Sequence, residues 1–344
     1  MRCSGLKLLT PGPVQLPREV LEAVARQPLF HRSVEFREVL GRVVEKLRMV
    51  YDYNSTPVIA PGTGTLAVDI AVYNYVDPGD RVLVVVNGVF GERLAESVES
   101  RGGVVYKLNL DHVEPDVVED YARRISNVKV VAVVHNETSM GVANRFVEKL
   151  QGVAESLGAI LIVDSVSGIP AEPIRSRVDV IATASHKAFL APPGASILYV
   201  SVEPKVKTKV PPSMDLRRLV KGSTTLNPPY TPPINVLYGL DVSLDMILKL
   251  GVDGYHEVHR LRAQTLYSSL KLESVAREPY RSYTVTAFWA PNPDLIVREL
   301  RKHGYIIARG MGVYEDKMIR VGVLGDVSID DLRRVVEVVN NVVD

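Results

Sequence analysis

Residues 159–187 read AILIVDSVSGIPAEPIRSRVDVIATASHK and contain two short apolar runs, 159–163 and 178–183. Runs of the same kind recur between residues 58 and 200, at 81–86, 104–108, 129–134 and 195–200. Stretches with helical spacing lie between most of them, at 65–75, 90–101, 115–126 and 145–157. The apolar runs are nearly continuous rather than alternating, which is typical of strands that helices cover on both faces. This order predicts a mainly parallel, doubly wound α/β sheet.

A proline-rich segment, 202–233, ends this pattern, and the residues after it differ in character. A helical stretch at 236–250 is followed by helices and strands in mixed order up to the C-terminus. That order predicts a small α+β domain. We therefore divide the chain into a large α/β domain, 14–235, and a small C-terminal domain, 236–344, with which the N-terminal arm, 1–13, is expected to associate.

The composition disfavours several classes of protein. The 344 residues carry 41 Lys+Arg against 40 Asp+Glu, a net charge of +1, so there is no electrostatic reason to expect a nucleic acid or an anionic membrane as partner. No apolar run approaches the roughly 20 residues of a membrane span, and no signal-peptide pattern is visible. Cys3 is the only cysteine, so an internal disulfide is impossible and a metal site is not expected. We expect a soluble, cytoplasmic protein, and the scarcity of glutamine among many charges is typical of heat-adapted proteins.

Small and polar residues collect where the predicted strands end. They form five clusters, at 62–65, 87–90, 135–138, 164–167 and 185–187. The ligand crevice of an open α/β sheet lies at the carboxyl ends of its strands. These clusters therefore predict one site for a sizeable ligand.

Three of the clusters indicate one chemistry when they are taken together. The turn Gly62–Thr65 opens a helix whose N–H groups would bind phosphate, although a tight turn also needs glycine for its own sake. Asp164 ends a buried strand, where a carboxylate needs a cationic or hydrogen-bonding partner. A role as a helix N-cap or in an internal ion pair would explain it equally well. Lys187 lies between apolar segments, where burial lowers the pKa of an amine; a lysine that extends to solvent is the alternative. A phosphate site, a carboxylate and a buried lysine in one crevice fit pyridoxal phosphate.

Several motifs resemble a known family. Asp164–Val166, Ala184–Ala188 and Ala191–Gly194 resemble the signature of class V aminotransferases of pyridoxal-phosphate fold type I. Within that family the chain is most similar to the alanine–glyoxylate and serine–pyruvate aminotransferases. The similarity covers nearly the whole chain, from Leu8–Pro13 to Arg320–Gly325. It implies a fold type I transferase with a large doubly wound domain and a small α+β domain.

The resemblance also implies a role for each matching residue around the cofactor. Lys187 would hold pyridoxal phosphate as the internal aldimine and move the transferred proton. Asp164 would pair with the pyridinium nitrogen. Gly64 and Thr65, with Thr63, would bind the cofactor phosphate.

Further matching residues would complete the site. Phe90 occupies the position of an aromatic residue that stacks on the ring, and Thr138 matches a hydroxyl near the ring oxygen. Arg320 matches the arginine that binds the substrate carboxylate, with a structural ion pair as its alternative. Gly12 would leave room for a small substrate. His186 stands where the family commonly has a glutamine, and it would still donate a hydrogen bond to the cofactor phosphate.

At two further residues the resemblance implies that each active site includes residues of a second chain. Thr231 matches a residue that reaches the phosphate of the other subunit, and Tyr230 lies near a family tyrosine that does the same. The resemblance therefore implies a homodimer.

These observations predict a transaminase that moves an amino group between alanine or serine and glyoxylate or pyruvate by two ping-pong half-reactions. Transaminases for phosphoserine, aspartate or aminoethylphosphonate stay open, and Arg32 or Arg309 would be candidates to bind the extra anion. A cysteine desulfurase is disfavoured because such an enzyme needs a nucleophilic cysteine in a loop near the end of the large domain, and this sequence has none there. A non-catalytic α/β binding protein and a dehydrogenase are further alternatives, although the chain lacks the Gly-x-Gly-x-x-Gly turn of the latter.

Overall fold

The computed structural model describes residues 5–344, so Cys3 and the first residues of the predicted arm lie outside the described part. Its helices are α1 (Arg18–Val24), α2 (Val34–Val50), α3 (Gly64–Tyr75), α4 (Val89–Ser100), α5 (Pro115–Arg123), α6 (Lys149–Leu157), α7 (Leu216–Thr224), α8 (Ile234–Ser269), α9 (Pro293–Lys302) and α10 (Ile329–Val343). Its strands are β1 (Lys7–Leu8), β2 (Thr56–Gly62), β3 (Arg81–Val86), β4 (Val104–Asn109), β5 (Val128–Val134), β6 (Asn136–Glu137), β7 (Val142–Ala143), β8 (Ile160–Asp164), β9 (Val180–Ala184), β10 (Gly194–Val200), β11 (Val285–Trp289), β12 (Tyr305–Ile306), β13 (Ala308–Arg309) and β14 (Met318–Gly322).

The large domain is built on a seven-stranded sheet with the order β2-β10-β9-β8-β5-β3-β4. Only β10 runs antiparallel to its neighbours, and the other adjacent pairs are parallel. The predicted mainly parallel, doubly wound sheet is thus confirmed. The strand order reverses between β3 and β5. From β3 the chain continues outward to β4 on one side, whereas β5, β8 and β9 follow one another on the other side. Such a reversal opens a crevice at the carboxyl ends of the strands.

Both faces of this sheet are buried, which explains the nearly continuous apolar strands. Leu83 and Val85 of β3 pack in one core, whereas Val82 and Val84 pack in the core on the opposite face. Because successive side chains of a strand point to opposite faces, each strand contributes to both cores. The sheet therefore holds the ends of its central strands in fixed positions.

The small domain packs around the three-stranded sheet β11-β14-β13. The arm strand β1 pairs in parallel with β12. Helix α8 begins before the predicted division at 235/236, and Gly251 interrupts it with φ 70° and ψ 160°, a backbone conformation that favours glycine. Leu240 and Leu244, before this interruption, pack in the large-domain core, whereas Leu266, after it, packs in the core of the small domain. The change of core thus falls within α8 rather than at its start.

Two kinds of feature are absent from the described residues. Between residues 5 and 344, no helix is long and apolar enough to cross a membrane. In the same part of the chain, no three His, Cys, Asp or Glu side chains are grouped so that they would hold a metal ion.

Candidate active site

A cavity of about 330 Å³ opens at the carboxyl ends of the central strands. All five polar clusters contribute residues to its wall, and the cluster 87–90 contributes Phe90 alone. The predicted site residues that line it are Gly12, Thr63, Gly64, Thr65, Phe90, Thr138, Asp164, His186 and Lys187. The predicted residues that do not line it are Tyr230, Thr231 and Arg320.

Lys187 follows β9 and extends along the cavity wall. Its Nζ donates a hydrogen bond to the carbonyl of Pro11, 2.7 Å away. Burial, aided by the charge of Arg320, lowers the pKa of Lys187 to about 8. A substantial fraction of this amine is therefore neutral near pH 8, as a nucleophile or a proton acceptor must be.

Gly12 lies directly against this lysine. A Cβ at position 12 would come within 2.5 Å of Lys187 Cδ and 2.8 Å of Nζ, and the φ of +133° disfavours any side chain. We expect Gly12→Ala to displace the amine and to lower kcat/KM by about a hundredfold, as small misplacements of reacting groups do. Gly152→Ala is the matched control, because position 152 is exposed and has open space around it. Equal activity of the two variants would contradict this prediction.

Asp164 is the last residue of β8 and is almost fully buried. One carboxylate oxygen, Oδ1, accepts a hydrogen bond from the N–H of Val166 at 3.0 Å. Within residues 5–344 its Oδ2 has no hydrogen-bond partner. Burial raises the pKa of Asp164 to about 7. A buried carboxylate of this kind is stabilised by a protonated ring nitrogen placed beside it.

The residues 63–65 form the start of α3. Thr63 precedes the helix in an extended conformation, and its carbonyl accepts a hydrogen bond from Ser196 Oγ at 2.7 Å. A Cβ at Gly64 would come within 2.5 Å of the Val166 side chain, so the close packing of this turn requires glycine. The first N–H groups of a helix have no partner inside it and attract anions. This turn therefore places the first N–H groups of α3 at the cavity, where an anion would be stabilised.

Three side chains complete the wall. His186 is largely buried, and its Nδ1 has no hydrogen-bond partner within the described chain. Burial lowers the pKa of His186 to about 4, so the ring is neutral at pH 7. Phe90 lies in the first turn of α4, with the Arg93 guanidinium 5.0 Å from its ring centre. Thr138 Oγ1 shares a hydrogen bond of 2.6 Å with Ser167 Oγ.

Arg320 lies on β14 of the small domain and is buried next to the cavity rather than in its wall. Its Nε donates to the carbonyl of Arg309 at 2.9 Å, and a terminal nitrogen donates to the carbonyl of Thr138 at 3.3 Å. Burial lowers the pKa of Arg320 to about 10. The alternative of a structural ion pair is not realised, because among residues 5–344 no carboxylate lies within ion-pair distance of Arg320. Its position links the small domain to the cavity through Thr138.

Tyr230 and Thr231 lie apart from this cavity in the single chain. The Tyr230 hydroxyl donates to the carbonyl of Pro212 at 2.8 Å, and Thr231 is exposed. The two candidates for an extra anion also lie outside the cavity wall. Arg309 pairs with Glu315 and Asp316, and Arg32 binds Asn227 and the carbonyl of Pro228.

Sequence reasoning missed several residues of the cavity wall, among them the charged residues Arg93 and Asp69. Arg93 follows Phe90 by three positions, and Asp69 follows Thr65 by four. Residues three or four apart lie on the same face of a helix, so this spacing was a usable signal. In the described chain, Arg93 forms neither an ion pair nor a hydrogen bond.

A sequence model of the class-V aminotransferase family matches residues 8–322. The chain belongs to this family. The aminotransferase is 30% identical to the L-aspartate–glyoxylate aminotransferase of Paracoccus denitrificans, over 93% of this chain and 87% of that protein. It is also 30% identical to the alanine–glyoxylate aminotransferase of Oryctolagus cuniculus, over 92% of this chain and 87% of the relative. The crystal structure of an alanine–glyoxylate aminotransferase from Nostoc matches the fold with a TM-score of 0.92 at 24% identity, covering 100% and 97% of the two chains.

The family confirms the predicted fold class and the predicted enzyme class, a transaminase whose cofactor is pyridoxal phosphate. The residues of the cavity fit this cofactor. Residues 63–65, Asp164, His186 and Lys187 all line one cavity, and within the described chain Asp164 Oδ2 has no hydrogen-bond partner. An anionic phosphate, a basic ring nitrogen and an aldehyde are the three groups that such a set would bind.

Proposed function

We propose that the aminotransferase transfers the amino group of alanine or serine to glyoxylate or pyruvate. The observation that carries this proposal is the placement of Lys187 and Asp164 in one cavity with Gly12 against the lysine. The lysine and the aspartate supply the chemistry. The glycine leaves space for a small substrate beside the amine.

Each residue then has a stated task. Lys187 Nζ takes the proton from Cα of the amino acid, and its lowered pKa makes the neutral amine available for this step. The Asp164 carboxylate holds the ring nitrogen of the cofactor in its protonated form. The N–H groups of 63–65 and the side chain of His186 would bind the phosphate, Phe90 would lie against the ring, and Thr138 would contact the ring oxygen. When bound, pyridoxal phosphate withdraws electrons from Cα of the substrate.

Arg320 binds the substrate carboxylate. Its guanidinium is held by two backbone carbonyls, which fix the direction of the remaining N–H donors. A planar guanidinium binds a carboxylate with two parallel hydrogen bonds, so it also orients the amino group toward Lys187.

We also propose that the enzyme works as a homodimer, in which Thr231, with Tyr230, reaches the phosphate of the other subunit. The exposure of Thr231 in the single chain supports this arrangement. A solution mass equal to that of one 37.9-kDa chain would contradict it. A cytoplasmic location and heat adaptation stay predictions from the sequence.

A second candidate is an aspartate transaminase. Arg93 lines the cavity without an ion pair in the described chain, and a free guanidinium there would bind a second substrate carboxylate. The similarity to an L-aspartate–glyoxylate aminotransferase supports this candidate. A phosphoserine or aminoethylphosphonate donor would use the same cation.

Initial-rate kinetics test both candidates. We expect parallel double-reciprocal lines when L-alanine and glyoxylate are varied against one another, because the amino group is transferred in two separate half-reactions. Intersecting lines would contradict the mechanism. The donor panel should contain L-alanine, L-serine, L-aspartate and phosphoserine. If aspartate is the best donor and Arg93→Gln removes that preference, the second candidate replaces the first.

A further inference from the structure

Glu137 is a fully buried carboxylate at the end of β6. Its Oε2 accepts hydrogen bonds from the backbone N–H groups of Phe90 and Gly91, each at 3.1 Å. Its Oε1 accepts from the N–H of Ser139 at 3.0 Å and from the Ser139 hydroxyl. Every partner is a donor, so these hydrogen bonds favour the ionised form and oppose the effect of burial, which raises the pKa of Glu137. In the described chain, no lysine or arginine lies within ion-pair distance of this carboxylate.

On one side, Glu137 holds the start of α4. The N-cap residue of this helix is Gly88, which has no side chain to bind the first N–H groups. Glu137 caps two of them, and Ser139 Oγ accepts the N–H of Val89 at 3.0 Å. A negative charge at a helix N-terminus also interacts favourably with the helix dipole. The first turn that carries Phe90 into the cavity is therefore fixed from outside the helix.

On the other side, Glu137 holds the residue that contacts Arg320. Thr138 lies between the anchored residues Glu137 and Ser139, lines the cavity, and offers its carbonyl to the Arg320 guanidinium at 3.3 Å. The negative charge of Glu137 also offsets part of the cost of burying the Arg320 cation. A single carboxylate thus connects one wall of the cavity with the arginine of the small domain.

We propose that Glu137 is a positioning residue of the transamination site: it sets Phe90 against the cofactor ring and Thr138 against Arg320 at the same time. The inference rests on the proposed function, because Phe90 and Arg320 are assigned their roles there. The inference adds that the position of Phe90 and the contact between Thr138 and Arg320 both depend on one buried carboxylate, so that a change at Glu137 alters both.

The test compares Glu137→Gln with Glu172→Gln. Glutamine keeps the shape but offers an N–H₂ group where two backbone N–H donors need an acceptor. Glu172 is the matched control because it is equally buried, accepts from Tyr283 N at 2.7 Å and Arg145 at 3.0 Å, and does not line the cavity. For each variant we would measure the melting temperature, the dissociation constant of pyridoxal phosphate, the visible circular dichroism of the bound cofactor, and kcat and KM with the best donor.

We expect Glu137→Gln to lower kcat/KM by about tenfold to a hundredfold, the loss expected from one charge-assisted contact. We also expect a weaker cofactor affinity and a changed circular dichroism. Glu172→Gln should lose melting temperature with the cofactor readouts unchanged. Combining Glu137→Gln with Arg320→Lys should cost less than the product of the two single effects, because both act on one contact.

The outcomes separate this inference from the proposed function. An inactive wild-type enzyme would refute the proposed function. An active wild type, with Glu137→Gln resembling Glu172→Gln in every readout, would overturn the positioning role and leave only a structural one. If Glu137→Gln does not fold, Ser139→Ala takes its place, since it removes the acceptor of Val89 N and one donor to Glu137. We expect Ser139→Ala to change kcat/KM, the cofactor affinity and the circular dichroism in the same direction as Glu137→Gln, but by less. If the cofactor affinity and the circular dichroism were unchanged, the inference would again be overturned.

Discussion

Lys187→Ala is expected to lower kcat by roughly 10⁴- to 10⁶-fold, the scale of loss seen when an enzyme's covalent nucleophile is removed. The amine is buried, its pKa is lowered to about 8, and it is the lysine of the cavity wall. If Lys187 has the proposed roles, alanine removes both the group that bonds to the cofactor and the group that moves the Cα proton. Steady-state transamination with L-alanine and glyoxylate measures the effect.

Two controls accompany this variant. Lys187→Arg keeps a cation at the same place but cannot act as a neutral amine at pH 8, so it should be nearly as inactive. Lys271→Ala removes an exposed lysine that pairs with Asp344, and it should retain full activity. Activity of Lys187→Ala within tenfold of the wild type would show that another group carries the chemistry.

Asp164→Asn is expected to have opposite effects on activity and on stability. An amide does not carry the charge that keeps a ring nitrogen protonated, so kcat should fall by about 10²- to 10³-fold, the loss typical of one missing electrostatic contact. The fold without cofactor should nevertheless become more stable above pH 7, because the variant no longer buries an ionised carboxylate.

The pH dependence follows from the raised pKa. Burial raises the pKa of Asp164 from 3.8 to about 7, so between these values the unfolded chain is ionised while the native protein holds the proton. The native state binds more protons, and its stability therefore falls as the pH rises through this window. The full loss, on the order of 4 kcal/mol, is reached above pH 7.

Melting temperatures of cofactor-free protein at pH 5 and pH 8 would measure this dependence. The wild type should lose more stability between the two values than Asp164→Asn. The same slope in both proteins would show that this carboxylate does not titrate as described.

The strand-end rule located much of the candidate site in advance. Asp164 ends β8 and Lys187 follows β9, and because these are neighbouring parallel strands their carboxyl ends had to meet at one edge. Gly64 was predictable for a similar reason, since the first turn of α3 begins where β2 ends. The reversed direction of β10 was not visible, because an apolar run has the same pattern in either direction.

The contacts that cross between elements could not be predicted. Arg320 reaches the cavity through the backbone carbonyl of Thr138, 182 positions away, and a carbonyl leaves no mark on the sequence. The capping of α4 by Glu137 could not be predicted from neighbouring residues either, because that helix begins 48 positions earlier in the sequence, at Val89. Along α8, Tyr255 still packs in the core of the large domain and Leu266 packs in the core of the small one, and an apolar helix pattern does not show which core a residue joins.

The absorption spectrum of the purified enzyme tests the central claim most directly. After incubation with pyridoxal phosphate, we expect a visible band that L-alanine or L-serine bleaches and that glyoxylate or pyruvate restores, with no such response in Lys187→Ala. This result would establish the cofactor, the lysine and both half-reactions together. A wild-type protein that shows no visible band after this incubation, or a band that Lys187→Ala reproduces in full, would contradict it.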